Sequence, residues 1–267
     1  MTALTARRRH PLALVVLITM GLVSTGALYA AIAPRPAAAA SASSDQIAEG
    51  KKLFLANCAT CHGVNAQGSP KTAQGHVAGP SLIGVGAASV DFQVSTGRMP
   101  LSAPGQQAPQ GPVLFADEQI AQMAAYVASL APGPAIPTEE QASGEGADIA
   151  KGGAIFRVNC AMCHNFAGAG GALTRGKYAP AIKDVSGKQI YEAMVTGPQA
   201  MPVFNDANIS PENKRDVIAF ALSVQEEAKA GGDTLGNLGP VSEGLFAWIV
   251  GIGALIGCAV WLGAKAA

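Results

Sequence analysis

The sequence predicts an all-α chain: two tandem small helical domains set between membrane helices at the N-terminus and the C-terminus. Three observations predict it. The middle of the chain repeats itself at an offset of 102 residues. Each copy closes on an amphipathic pattern of helical period. An uncharged apolar run stands near each end of the chain. Composition agrees, because 49 % of the 267 residues are hydrophobic and 13 % are charged, too apolar a balance for a wholly water-soluble protein. The 18 basic and 18 acidic residues cancel. No basic stripe is present, so nucleic acid is set aside as a partner.

Residues 1–40 read as a basic cytoplasmic N-terminus followed by a signal-anchor or a signal peptide. Arg7, Arg8 and Arg9 precede Pro11–Ala33, an uncharged run of 23 residues. At ~1.5 Å per residue that run spans a ~30 Å hydrocarbon core. Cleaved signals carry a shorter apolar region of about 7–15 residues, which favours an anchor. The small residues of Ala37–Ala42 nevertheless offer cleavage sites. On either reading the arginines stay in the cytoplasm and the following domains are exported.

The first domain covers residues 45–131 and the second 148–226. Gly50, Phe54, Asn57, Cys58, Cys61 and His62 recur as Gly152, Phe156, Asn159, Cys160, Cys163 and His164. Pro80-Ser81-Leu82 answers Pro180-Ala181-Ile182 two residues closer, and Met99-Pro100 answers Met201-Pro202 back at 102. The first copy closes with Asp117–Leu130, where Ile120, Met123, Tyr126, Val127 and Leu130 stand at helical spacing. The second closes from Ser210-Pro211-Glu212, a helix start with Pro in the first turn, through Val217, Ile218, Ala221 and Leu222. Ser102–Pro112, rich in Pro, Gln and Gly, reads as a surface loop special to the first copy.

Residues 132–147 read as a linker, which Pro132-Gly133-Pro134 opens, and 227–241 as a hydrophilic tether. Residues 242–264 read as a C-terminal transmembrane helix. Its uncharged core, Leu245–Gly263, lies between Glu243 and Lys265, with Trp248 and Trp261 placed for the two interfaces. A buried core helix is the competing reading. Its position after a Gly-rich tether speaks against that. Gly253 and Gly257 would let another helix approach closely, and Cys258 reads as a small membrane residue.

Four of the five cysteines form two Cys-x-x-Cys pairs, each followed at once by histidine. This pattern points to covalent haem of the c type, because one helical turn sets two sulfurs for thioether bonds and brings the next imidazole beneath the iron. Cys58 and Cys61 would attach one haem, and Cys160 and Cys163 a second, with His62 and His164 on the irons. Met99 and Met201 each lie 41 residues after the first cysteine of their copy, and equal spacing makes them the opposite axial ligands. Two of the four histidines are then already used. His10 sits beside the arginines, and His76 has no counterpart and reads as a loop residue. Met123 and Met194 stand inside helical patterns and read as core packing.

Two other readings of the cysteines compete with this one. A shared tetrathiolate zinc leaves both histidines and the Met-Pro repeat without a role. A thioredoxin-like pair lacks its βαβ setting. A metal-bound histidine usually donates its other ring N–H to a carbonyl, and the rigid backbones at Pro80 and Pro180 could supply it. Arg98, beside Met99, reads either as a partner for a haem propionate or as a solvated arginine.

On these residues each copy resembles a class I cytochrome c, including the proline followed by an aliphatic residue, the Met-Pro and a closing helix with Tyr126 or Phe220. In that family the first and last helices cross at a Gly–aromatic contact. The whole chain resembles the dihaem cytochrome c subunits of actinobacterial cytochrome bc1 (menaquinol–cytochrome c reductase) complexes. The resemblance implies two covalent haem c groups and no catalytic residue in the chain itself. It implies an electron carrier within a translocase-type oxidoreductase at the cell membrane, with the haem domains outside the cytoplasm. The implied partners are membrane lipid, a cytochrome b subunit, a Rieske iron–sulfur subunit and an aa3-type oxidase that takes the electrons. The alternatives are a dihaem subunit of another membrane electron-transfer assembly and a dihaem peroxidase. A peroxidase needs one iron with an open distal position, whereas both copies supply a methionine.

Overall fold

The computed structural model describes residues 11–32, 42–70, 78–103, 105–226 and 240–266. His10, His76, the arginines at 7–9, the candidate cleavage segment and most of the 227–241 tether lie outside the described residues. The chain divides into two compact units, Met1–Ser41 and Ala42–Ala267. Among the described residues the fold is helical throughout, apart from one two-stranded antiparallel ribbon.

The first unit contributes α1, Pro11–Ile32, whose apolar window Leu12–Tyr29 is exposed along its length. Thr19, Ser24 and Thr25 turn their hydroxyls back onto the helix, donating to the carbonyls of Val15 and Gly21, so these three hydroxyls are met if this helix crosses lipid. The second unit ends in α11, Pro240–Ala266, also exposed, with a 24-residue apolar window. Both helices are long and apolar enough to cross a membrane.

The first haem-type domain consists of α2 (Ser44–Asn57), α3 (Ala59–His62), α4 (Gly86–Ser95) and α5 (Asp117–Leu130). Ser43 opens α2 with a capping box, its hydroxyl accepting from the Gln46 N–H while the Gln46 side chain accepts from its own N–H. The linker contains one short helix, α6 (Glu139–Ser143), capped in the same way by Thr138 and Gln141. The second domain follows with α7 (Ile149–Asn159), α8 (Ala161–His164), the ribbon Gly171–Ala172 against Tyr178–Ala179, α9 (Gly187–Thr196) and α10 (Pro211–Gln225). Pro211 sits in the first turn of α10 behind the cap Ser210.

Each domain is closed by its first helix crossing its last, and glycine makes the crossing possible. A Cβ at Gly50 would overlap the carbonyl of Gln122 on α5, and one at Gly152 the carbonyl of Asp216 on α10. Beside each crossing two rings tilt against each other, Phe54 on Tyr126 with centroids at 5.2 Å and Phe156 on Phe220 at 5.2 Å. Such a pair adds about 0.5–1.5 kcal/mol beyond its buried area. Met123 and Met194 are each only 2 % exposed, as core packing requires.

The two domains are not independent beads. Helices α4 and α9, counterparts in the repeat, pack together across the domain boundary. Lys188 on α9 reaches Asp91 on α4 with Nζ 2.7 Å from Oδ2. Most described residues of the stretch 102–112 are exposed, as a surface loop requires, but the loop is anchored to the second domain. Ala108 is buried, and Gln107 and Ala108 bond to the second domain. The linker also lies against the first domain, where the Pro134 carbonyl accepts from the Ala88 N–H at 3.1 Å.

Candidate haem sites

Both motifs sit on a sharp break between two helices. Asn57 ends α2 with its side-chain amide donating to the Leu53 carbonyl at 2.8 Å, and Asn159 does the same to Ile155 at 2.9 Å. This accounts for the asparagine in the repeat. One further turn follows, with the His62 N–H donating to the Cys58 carbonyl at 2.9 Å and the His164 N–H to Cys160 at 2.9 Å. That turn brings both cysteines and the histidine of each copy to one short helix.

The histidines are oriented by carbonyls from the segment that follows. Nδ1 of His62 lies 2.7 Å from the Pro80 oxygen, and Nδ1 of His164 lies 2.8 Å from the Pro180 oxygen. A carbonyl can only accept, so Nδ1 carries the proton in each and Nε2 keeps its lone pair for a metal. Gly79 permits the first contact, since a Cβ there would lie 2.6 Å from the Cys61 carbonyl oxygen. Burial, against the Pro180 bond, pulls the His164 pKa below its ordinary value, which keeps this ring a neutral ligand.

In the first domain these groups face a cavity of about 500 Å³. Cys58, His62 and Met99 line it together with the apolar side chains of Phe54, Leu82, Val90 and Val94. His62 is only 9 % exposed. An apolar cleft with an oriented, unprotonated imidazole nitrogen, a thioether and the Cys58 thiol, with Cys61 on the adjoining turn, fits a flat apolar macrocycle bound covalently through its edge. The second domain is built the same way, with Cys160 and Met201 packed against the core of Phe156, Ile190 and Met194. Its histidine is half-buried.

The competing readings of the cysteines lose their footing here. Among the described residues no three or more His, Cys, Asp or Glu side chains are placed to hold a metal ion together, which gives a shared tetrathiolate no support. Burial, reinforced by the neighbouring Cys61 and Cys163, pushes the Cys58 and Cys160 thiols up to about 11. A redox Cys-x-x-Cys needs the opposite shift.

Arg98 is not a solvated arginine. It is 9 % exposed, with its guanidinium 5.1 Å from the centre of the Phe92 ring. It borders a shallow cleft of about 650 Å³ between the domains, shared with Gln110, Tyr178 and Pro180. Residues that sequence reasoning missed also surround the first cavity. Thr196, Gly197, Pro198 and Gln199, all of the second domain, form part of its wall.

Comparison with known proteins agrees with this architecture. Residues 47–131 match the family model described as cytochrome c, and residues 147–220 match that described as cytochrome C oxidase, cbb3-type, subunit III. The chain is 44 % identical over 266 residues to the cytochrome bc1 complex cytochrome c subunit of Mycobacterium tuberculosis, covering 97 % of this chain and 93 % of that one. It is 44 % identical over 264 residues to the protein of the same name from Corynebacterium efficiens, covering 93 % and 87 %. A cytochrome c6 of Limnospira maxima is 31 % identical over 87 residues, 30 % of this chain and 97 % of that one. Two cytochrome c domains carry two covalently bound haem c groups, and the chain is an electron-transfer component of an oxidoreductase complex. With full-length relatives of one name and both haem domains accounted for, the chain belongs to the family of cytochrome c subunits of the cytochrome bc1 complex.

Proposed function

We propose that the chain takes electrons from the Rieske centre of a menaquinol–cytochrome c reductase and delivers them to an aa3-type oxidase, using its two haem sites in series. One observation carries this reading: each domain holds a carbonyl-oriented histidine in its Cys-x-x-Cys-His turn and packs its methionine against its own core, and the two domains pack against each other. Bound haem c supplies a one-electron iron couple. Cys58 and Cys61 hold the first haem through thioethers, and Cys160 and Cys163 the second. His62 and Met99 would hold the first iron, and His164 and Met201 the second. The Pro80 and Pro180 carbonyls fix each imidazole and raise its basicity as a ligand. The apolar lining excludes water, and the thioether ligands raise the potential relative to a second imidazole.

Residues 45–131 and 148–226 are the two haem domains, placed outside the cytoplasm between α1 and α11. The cytochrome b and Rieske subunits, together with membrane lipid, surround the chain. The dihaem peroxidase reading is disfavoured because Met99 lines the same cavity as His62 and Met201 recurs at the same spacing, so each site would offer a thioether where a peroxidase needs one position open. The test is purification in mild detergent followed by reduction with a menaquinol analogue. Cytochrome b, Rieske and oxidase subunits should co-purify, and both haems should reduce without added cytochrome c. A chain isolated with a different dehydrogenase, or haems that quinol leaves oxidised, overturns the assignment. Separately, an impermeant cysteine reagent should miss a label site introduced near Ala266 in intact cells; labelling there would invert the topology.

A further inference from the structure

Between the two domains lies a pair of carboxyl groups that nothing in haem binding requires. Asp91 on α4 is 5 % exposed and Glu192 on α9 is 0 % exposed. Neither oxygen of Glu192 meets an N–H or O–H donor. The group within its hydrogen-bonding reach is the Asp91 carboxyl, itself held by Lys188 at 2.7 Å. Two carboxylates are acceptors only, and a buried one without a donor is costly. A single proton resolves the arrangement: Glu192 donates O–H to Asp91, and Lys188 balances the remaining charge.

We propose that Asp91 and Glu192 share one proton across the domain contact, and that this proton and Lys188 position the second domain as a wall of the first haem cleft. The geometry gives the pair that role. Glu192 lies one helical turn before Thr196, whose hydroxyl donates to the Glu192 carbonyl at 2.7 Å. Thr196–Gln199 is the second-domain segment that lines the cavity. Gln199 also accepts from the Ala108 N–H at 3.1 Å. Moving α9 away from α4 would therefore remove that wall.

The surroundings leave Glu192 as the titrating member. Burial, then the Asp91 charge, pushes its carboxyl up to about 9, while Lys188 pulls the other way. On α6, Glu139 and Glu140 are exposed, and Gln141 bonds the Tyr191 hydroxyl. On α10, Lys214 is taken by Asp206 and the Ile209 carbonyl, and Asp216 by Lys151. Burial and Asp206 raise the Tyr191 hydroxyl. On α5 the acidic residues Asp117 and Glu118 are exposed. For an acid with a raised pKa in the closed contact, the stabilisation is full below the ordinary value of 4.5. It declines as pH rises and is lost above about 9. The contact is thus tightest on the acid side.

The test uses the full chain with both haems attached, in lipid nanodiscs. Amide exchange at Ala108 and Tyr178, whose N–H groups donate across the contact, is followed from about pH 6 to about pH 10.5 and corrected for intrinsic rates. In the wild type, protection should fall by about tenfold or more as Glu192 deprotonates. Glu192→Gln should keep its protection across the range, because the amide N–H donates to Asp91 without titrating. Asp91→Asn should do the same by donating to Glu192, and serves if the first variant does not mature. Wild-type protection that persists to the top of the range, or a loss in both variants that matches the wild type, overturns the proposal.

Discussion

The side-chain amide of Gln107 pairs with the backbone of Tyr178 as a neighbouring strand would, its Nε2 donating to the Tyr178 carbonyl at 2.7 Å and its Oε1 accepting from the Tyr178 N–H at 2.9 Å. One residue of the first domain thereby holds the ribbon strand next to Ala179 and Pro180, and Pro180 holds His164. Gln107→Ala removes both bonds at a half-buried site, where each is worth about 0.5–1.5 kcal/mol. The contact should weaken by roughly 1–2 kcal/mol, read as faster exchange at Ala108 with haem content unchanged. Unchanged exchange would mean that Gln107 is a passive loop residue.

What the sequence made legible and what it hid have one physical cause. Haem attachment and helix crossing need specific residues at fixed spacing, so Gly50, Cys58, His62 and Met99 stood out by recurring 102 residues on. The carbonyl partners of the histidines were legible too, because Pro80 and Pro180 recur. The domain contact was hidden because Asp91, Lys188 and Glu192 each look like an ordinary helix-surface charge, and only packing turns them into a cluster. A signal did exist in the places where the repeat breaks. Gln107 lies in the stretch special to the first copy. Gln199 lies in the surplus of two residues between Gly197 and Met201, compared with Gly97 and Met99. Residues that escape the repeat are free to join its copies.

The helix crossings give a test of each domain separately. Gly152→Ala puts a methyl onto the Asp216 carbonyl, and Gly50→Ala onto Gln122. Forcing α7 from α10, or α2 from α5, should cost about 1–3 kcal/mol. Denaturant unfolding should show a lower midpoint in the altered domain, with the other domain's haem retained. A midpoint equal to wild type would mean that the helices can slide apart freely.

Stoichiometry tests the attachment residues. The purified chain should carry two haems that resist acid-acetone extraction. Cys58→Ser or Cys160→Ser should disrupt attachment in its own domain and leave the other mature. Intact-protein mass spectrometry counts the groups directly. A wild-type count of one haem would sink the two-site reading.

Ligation can be read from spectra and potentials. Oxidised wild type should show the thioether-to-iron band with the intensity of two sites. Met99→His and Met201→His should each remove half of that band and lower one of the two potentials, since imidazole favours the ferric state relative to a thioether. If Met99→Leu leaves the full band, the first iron has a different ligand.

The two haems should be obligatory in sequence, and the packing strengthens the reason. A carrier fixed by α11 cannot travel far, so donor and acceptor must both come to the same body. Tethering replaces diffusion by a high local concentration. The contact between α4 and α9 goes further by holding the first cleft against Thr196–Gln199, two residues short of Met201. Electrons that enter at one domain then have a short, fixed route to the other, and a soluble cytochrome adds nothing. Membranes in which Cys58→Ser or Cys160→Ser disables either site should lose quinol-driven oxygen consumption through this branch by at least about tenfold. Added soluble cytochrome c should leave the wild-type rate unchanged. Full flux with one site disabled would show that one domain serves only as a support for the other.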